Sequence, residues 1–406
     1  MKRWISLTML AALLAGGCGE KPVDEAKVDA YKRWNLTRAK VLVSLGEKQL
    51  AVGELDKARK TAGEALQLSE DFVDARLLMG KVLIEQGHYS YAISQLELCR
   101  KQDPERPSCP YLLGVARERH GLLDEALESY LLAQKLDPES FHPVAAAGEV
   151  LVQLGQIERA QEHIDAFLAR TVQDDASLYE LAGRIATMRG QDDRAVRHFR
   201  SACDLSPDNP GYREMLGRAQ MAGDFHAEAA ETFHRLCKMD DYQPPAWVYS
   251  MLGQCHMTLD NPNRARTAFS SAAKLNAHSP EVWCDLARAE LAGGETARAV
   301  LSAREALRKD GKNLDGALLL GYALLRSSQA EDAIRELSRA AMQHPQSSMI
   351  HCLLGKAHAA AGESDKAKEC YAEAIRLDPR NVAARELLKD ASKPAKTASK
   401  TSRDAG

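Results

Sequence analysis

Aromatic residues supply only 5% of this 406-residue chain, and runs of β-branched residues are scarce. That shortage argues against strand-built sandwiches and barrels, whose faces depend on such side chains. Neither sign of charge dominates: 54 Lys and Arg stand against 57 Asp and Glu, a formal net charge of −3. A general nucleic-acid binder would carry a basic excess. No apolar run reaches the ~20 residues of a membrane-spanning helix; the longest lies at the very start and stops at Gly16. Motifs with reactive chemistry are missing too. There is no Gly-Lys-Ser/Thr phosphate loop, no His-Glu-x-x-His, no Gly-x-Ser-x-Gly and no Cys-x-x-Cys. His351 and His358 are seven apart with Cys352 and Cys370 nearby, but no second spaced pair completes a ligand set. They read as packing residues. The expectation is a non-enzyme with no metal, no cofactor and no small-molecule substrate.

What abounds instead, Ala, Leu, Arg, Glu and Gln, favours helices. The start has its own pattern. Lys2 and Arg3 precede an apolar stretch from Trp4 to Ala15, and Ala15, Gly16 and Gly17 precede Cys18, so residues 1–17 read as a secretory signal. The ending Leu14-Ala15-Gly16-Gly17-Cys18 resembles a bacterial lipoprotein signal, with one glycine more than the usual order. The resemblance implies that Cys18 becomes the first mature residue and carries lipid on its sulfur and amino group. Gly19, where inner-membrane retention calls for Asp, implies an outer-membrane anchor facing the periplasm. Residues 18–38 then hold the lipidated cysteine, a short tether and an N-terminal helix. About five extended residues reach only ~17 Å, which keeps the folded body close to the bilayer. Two alternatives stand beside this reading: a cytosolic scaffold without an anchor, and a secreted periplasmic protein.

The rest of the chain repeats. Small residues at 46, 80, 114, 148, 183, 217, 253, 287, 321 and 355 are each followed twelve positions later by alanine, from Ala58 to Ala367. The step is 34 residues seven times, with one of 35 and one of 36. A large apolar residue precedes most of the small ones, and a small residue there would let two helices cross closely, with the alanine as the matching hollow. Seven positions after the small column stands a turn glycine, as at Gly53, Gly87 and Gly121, suited to positive φ. Four after the alanine comes a filler such as Leu96, Tyr130, Phe233 or Tyr371, and prolines such as Pro104 and Pro345 close the second helix. Gly223 falls one residue early, Asp260 and Ser328 replace the turn glycine, and Pro244-Pro245 marks an insertion.

These columns resemble the tetratricopeptide repeat family over residues 39–381, ten units in one array. The resemblance implies an all-α fold, a right-handed superhelical solenoid of about ten helix-turn-helix units. Residues 382–390, N-capped by Asn381, should form a capping helix, and 391–406 a basic disordered tail. Length therefore counts repeats here, not the two or three domains that 406 residues would otherwise suggest.

Family resemblance also implies a protein or peptide partner on the concave face of first helices. The column after the small residues is largely cationic from the fifth unit onward, with Arg184, Arg218, Arg288 and Lys356. Three residues further on stand Met221, Met257, Leu291 and Leu325. Such rows suit a peptide with acidic and apolar side chains. Glu180 and Glu214, four before Arg184 and Arg218, make intrahelical ion pairs the competing reading. Leu77, Ile84, Tyr111 and Val115 would give the first half a more apolar groove. The carboxylate clamp of the family's chaperone-tail subclass is absent, since its columns hold Val43, Ser44, Leu77 and Leu78. In an oxidising compartment the repeat register offers two disulfides, Cys99 with Cys109 across the Pro104 turn and Cys352 with Cys370 across the last unit. The alternative is that all of these cysteines are small buried apolar residues.

Overall fold

The computed structural model describes residues 23–170 and 175–392. The expected signal, Cys18 and all but two residues of the expected tail lie outside them. The chain divides into two compact bodies, Met1–Arg189 and Gly190–Gly406. Among the described residues every regular element is a helix. The first body holds α1 (Val23–Ala51), α2 (Leu55–Leu68), α3 (Val73–Glu85), α4 (Tyr89–Gln102), α5 (Ser108–Arg119), α6 (Leu123–Leu136), α7 (Phe141–Gln153), α8 (Ile157–Leu168) and α9 (Ala176–Met188). The second holds α10 (Asp192–Leu205), α11 (Pro210–Ala222), α12 (His226–Leu236), α13 (Ala246–Thr258), α14 (Pro262–Leu275), α15 (Pro280–Ala292) and α16 (Thr296–Lys309). It ends with α17 (Leu314–Arg326), α18 (Ala330–Gln343), α19 (Ser348–Ala360), α20 (Ser364–Leu377) and α21 (Val382–Ala391). The N-terminal helix expected before residue 39 is the first part of α1, which it lengthens.

Short links join the helices where the columns place them. Gly53, Gly87, Gly121, Gly155, Gly190, Gly294 and Gly362 all have φ between 65° and 85°. Asp224, Asp260 and Ser328 take the same left-handed conformation, at 61°, 54° and 58°, so the turn near Gly223 keeps its register and only changes its residue. Asp tolerates this region because its short side chain can bond locally, while Ser does so at some cost. Pro104, Pro138, Pro207, Pro345 and Pro379 each stand two residues past the end of a second helix. Asn313, Ser279 and Asn381 cap α17, α15 and α21 through side-chain oxygens that accept from backbone N–H groups.

The core shows what the small column does. All ten column alanines, Ala58 to Ala367, are fully buried, but the space over most of the glycines is filled by the side chain sixteen residues later, not by a close backbone crossing alone. A β-carbon added at Gly80, Gly114, Gly148, Gly217, Gly253 or Gly355 would come 2.5–2.8 Å from Leu96, Tyr130, Ile164, Phe233, Phe269 or Tyr371. Where the filler position holds Ala62, Leu78 from the next pair occupies the seat over Gly46. Where it holds Ala303, the seat residue is itself the larger Ala287, and both are buried. Seat and filler volumes compensate, as close packing requires.

A polar staple accompanies the seat. Thr61 donates to Gln49 at 2.8 Å, Thr232 to Gln220 at 2.7 Å and Ser302 to Glu290 at 2.7 Å, while Arg117 donates to Ser129 at 2.8 Å. Each joins the residue three past the small column to the one twelve further on. Within each body the first helices of neighbouring pairs lie side by side: α1 with α3, α3 with α5 and α7 with α9, then α13 with α15, α15 with α17 and α17 with α19. They form the inner row of each stack.

Candidate protein-interaction face

In the first body the inner row opens into an apolar cavity of about 540 Å³. Leu50 of α1, Leu55 of α2, Ile84 of α3 and Leu112 and Val115 of α5 line it, with Lys81 and Glu85 at its rim. The residue four past the small column supplies Leu50 and Ile84, and the residue one past it supplies Lys81 and Val115. Helical spacing therefore brings three successive first helices to one patch. Leu77 does not contribute. It is buried in the cluster with Leu83, Leu96 and Leu113, two helical turns before Ile84, so the cavity does not extend to this expected groove residue. Tyr111 is half-buried nearby, its ring 5.8 Å from Tyr130 and 6.4 Å from His142. Burial, then the Glu118 carboxylate, pushes its phenol above the ordinary range.

The cationic column is mostly satisfied from within. Arg184 donates to Glu149 at 2.8 Å and lies 3.6 Å from Glu180. Burial raises the Glu180 pKa, Arg184 pulls it back, and the net direction is up. Arg288 bridges Asp285 at 2.6 Å and Asp315 at 2.7 Å. Arg218 forms no pair with Glu214; its guanidinium sits 4.1 Å over the Trp247 ring, and Glu214 accepts from the Tyr242 hydroxyl instead. Lys356 is half-buried on α19 without such a partner. Met221 packs on the Phe233 cluster, Met257 on the Phe269 cluster, and Leu291 and Leu325 on the Leu320 cluster. The rows exist, but the charge of Arg184 and Arg288 is spent on carboxylates of their own and neighbouring helices.

One exposed surface escaped the column reading. The outer face of α1 carries Tyr31, Trp34, Val41 and Leu45, between 47% and 66% exposed, at helical spacing with Lys27 and Arg38. The signal was present as an apolar row on the side of α1 away from Ala39 and Val43, which point into the core.

Cys99 and Cys109 are joined by a disulfide with Cα atoms 5.9 Å apart. Cys352 and Cys370 are free thiols. Their helices do pack together, but Cys352 turns toward Ala374 and Ala384 while Cys370 packs on the cluster around Leu354. That pairing is not formed. Burial pushes the Cys203 thiol up to about 11 and Cys284 to about 12, which makes both poor nucleophiles. His358 meets Glu363 at 2.5 Å and His351 faces the Pro345 carbonyl at 3.4 Å. Among the described residues no group of three or more His, Cys, Asp or Glu is gathered for a metal, and no helix is long and apolar enough to cross a membrane.

Tetratricopeptide repeat models match residues 49–114, 145–210, 250–313, 284–348 and 348–381, together more than half of the chain. Similar proteins include the BBSome complex member BBS4 of Bos taurus, 25% identical over 73% of this chain and 56% of that one. Lipopolysaccharide assembly protein B of Escherichia coli K12 is 27% identical over 52% of this chain and 56% of its own length. The chain thus spans little more than half of either relative. Among solved structures, the C-terminal part of a repeat-containing protein from Cytophaga hutchinsonii covers 68% of this chain and 99% of its own, at 15% identity and a TM-score of 0.45. With helix pairs, seats and left-handed turns recurring along both bodies, the chain belongs to the tetratricopeptide repeat family.

Proposed function

We propose that the protein is a non-catalytic adaptor, held by lipid at Cys18 in the bacterial envelope and binding an extended or helical segment of a partner protein. The observation that carries the binding reading is the apolar cavity lined by α1, α3 and α5. It presents Leu50, Leu112 and Val115 beside an exposed Lys81, a surface suited to apolar anchors flanked by an acidic residue. The second body's inner row contributes less charge than its sequence suggests, because Arg288 is already paired, as Arg184 is in the first body. Its share of the groove rests on Met221, Met257, Leu291, Leu325, Arg218 and Lys356.

The lipoprotein-type ending before Cys18 supports the anchor. So does the aromatic and basic face of α1, a composition that suits contact with lipid headgroups. The Escherichia coli relative is named for lipopolysaccharide assembly, which supports an envelope setting.

A photo-crosslinking residue at Leu112, in cells, tests the groove. A discrete partner adduct that disappears with Leu50→Glu and Val115→Glu is expected, and an adduct pattern indifferent to those changes would remove the groove from the reading. Membrane fractionation of Cys18→Ser tests the anchor separately. Release into the soluble fraction is expected; unchanged membrane association sinks the lipid.

A further inference from the structure

The second helices of the second body carry a feature that the adaptor reading does not use. Between α12 and α14, floored by α13, lies an open cleft of about 820 Å³. Helix α12 has 11 residues where α10, α14 and α16 have 14. It stops at Leu236, so Lys238 enters the cleft from the link. His234 of α12, His256 of α13 and Arg264 of α14 reach the same space. Among the described residues none of these four cationic or imidazole groups has an ion-pair partner. Glu231, the one carboxylate in the lining, is bound to Arg235 at 2.5 Å.

A second observation points the same way. His256 Nδ1 is shielded from solvent and has no hydrogen-bond partner. Burial first, then the positive fields of Arg264 and His234, lower the His256 pKa. A positive field that suppresses protonation of a neighbouring imidazole is a field in want of an anion. Hydroxyls from Thr267 and Ser271 stand along α14, and Leu252, Leu259 and Ala268 supply an apolar side.

We propose that this cleft binds a phosphate-bearing ligand, its phosphate held by Lys238, Arg264 and the two imidazoles and its apolar part laid on Leu252 and Ala268. Arg and Lys suit phosphate oxygens, and the Thr267 and Ser271 hydroxyls, which donate to the Asn263 and Thr267 carbonyls, line the wall without competing for them. Binding adds negative charge beside His256, so its lowered pKa rises on binding and affinity increases as pH falls through it. The other titratable groups facing the cleft are Glu231, Cys237 and Tyr249. Glu231 is already paired, and burial holds the thiol and phenol protonated at neutral pH.

The test uses the full chain at constant ionic strength, with pyrophosphate as one probe and phosphatidic acid vesicles as the other. Histidine NMR is the readout. Saturable shifts of His234 and His256 with pyrophosphate assign a soluble phosphate; shifts only with vesicles assign a lipid headgroup. Lys238→Ala with Arg264→Ala, both exposed positions, should weaken binding by about tenfold or more with helix content and melting temperature unchanged. Absence of shifts with both probes overturns the proposal. So does affinity indifferent to the double substitution, which would place the anion elsewhere on the surface.

Discussion

Helices α5 and α6 and helices α11 and α12 are built on one plan and end differently. In both pairs an aromatic ring sits over a glycine, Tyr130 on Gly114 and Phe233 on Gly217. In both a polar staple joins the helices, Arg117 to Ser129 and Thr232 to Gln220. Yet α6 runs 14 residues and hands over to α7 in four, while α12 stops after 11 and nine residues, 237–245, lead to α13. The longer link is fastened by side chains: Tyr242 donates to Glu214, and Arg213 reaches Met239 sulfur at 2.9 Å. The seat therefore sets how two helices cross, independently of how long the second one is. Changes in length accumulate in the links, where they open clefts without disturbing the core.

The largest expected effect concerns a link closed covalently. Replacing Cys99 and Cys109 with Ser should cost about 3 kcal/mol, the loop-closure value for a short ring, read as a lower urea midpoint under oxidising conditions. The link at 237–245 has no such bond, so reductant should reproduce that loss in the first body alone. Next come the seats. Gly114→Val and Gly217→Val should each destabilise by ~2 kcal/mol through overpacking, seen by thermal melts. A much smaller loss at Gly217 would mean that the shortened α12 yields and that the two pairs are not equivalent.

Smaller effects separate the fastenings. Tyr130→Phe removes the hydroxyl that donates to Glu118 at 2.7 Å, and Tyr242→Phe removes its bond to Glu214. Each should cost ~1 kcal/mol. Hydrogen exchange should then rise across the 237–245 link for Tyr242→Phe but stay within α5 and α6 for Tyr130→Phe. The smallest effect extends the comparison to the staple of α15 and α16. Glu290 is buried and accepts from Ser302, and burial raises its pKa above 4.5. Because the folded state holds this proton more tightly than the unfolded chain, the contribution is stabilising at low pH. It is lost as pH climbs from the unfolded value through the raised folded one. Glu290→Gln should therefore gain on the wild type over that window in urea titrations and run parallel above it.

Much of the fold was legible because its signals are local and recur. A residue that must adopt positive φ announces itself as Gly53 or Gly121, and an N-cap as Asn381. Even the irregular turns at Asp224, Asp260 and Ser328 stood in the right column. The candidate face was less legible. Arg184 and Glu149 occupy the same column one unit apart, so reading down the column found a row of charge where the structure has a bond between neighbours. Leu77 read as a groove residue because helical spacing alone does not say how far along α3 the cavity extends. Cys352 and Cys370 sit on packed helices but turn to different clusters, a distinction of side-chain direction rather than position. The staple was visible in principle, as a polar residue twelve before a Ser or Thr, yet it lacks meaning until the two helices are known to lie together.

The sequence by itself determined the helices, their turns, the period and the scarcity of large rings, which one aromatic or aliphatic filler per unit makes sufficient. Those properties depend on backbone conformation and on contacts made identically in each unit. Tertiary structure alone decided which charges are spent and which remain available. It also decided that Leu78 fills the seat above Gly46, and that shortening α12 gathers Lys238, His234, His256 and Arg264 around one cleft. Electrostatics and shape depend on distances between residues many positions apart, and only the packed chain brings those residues together.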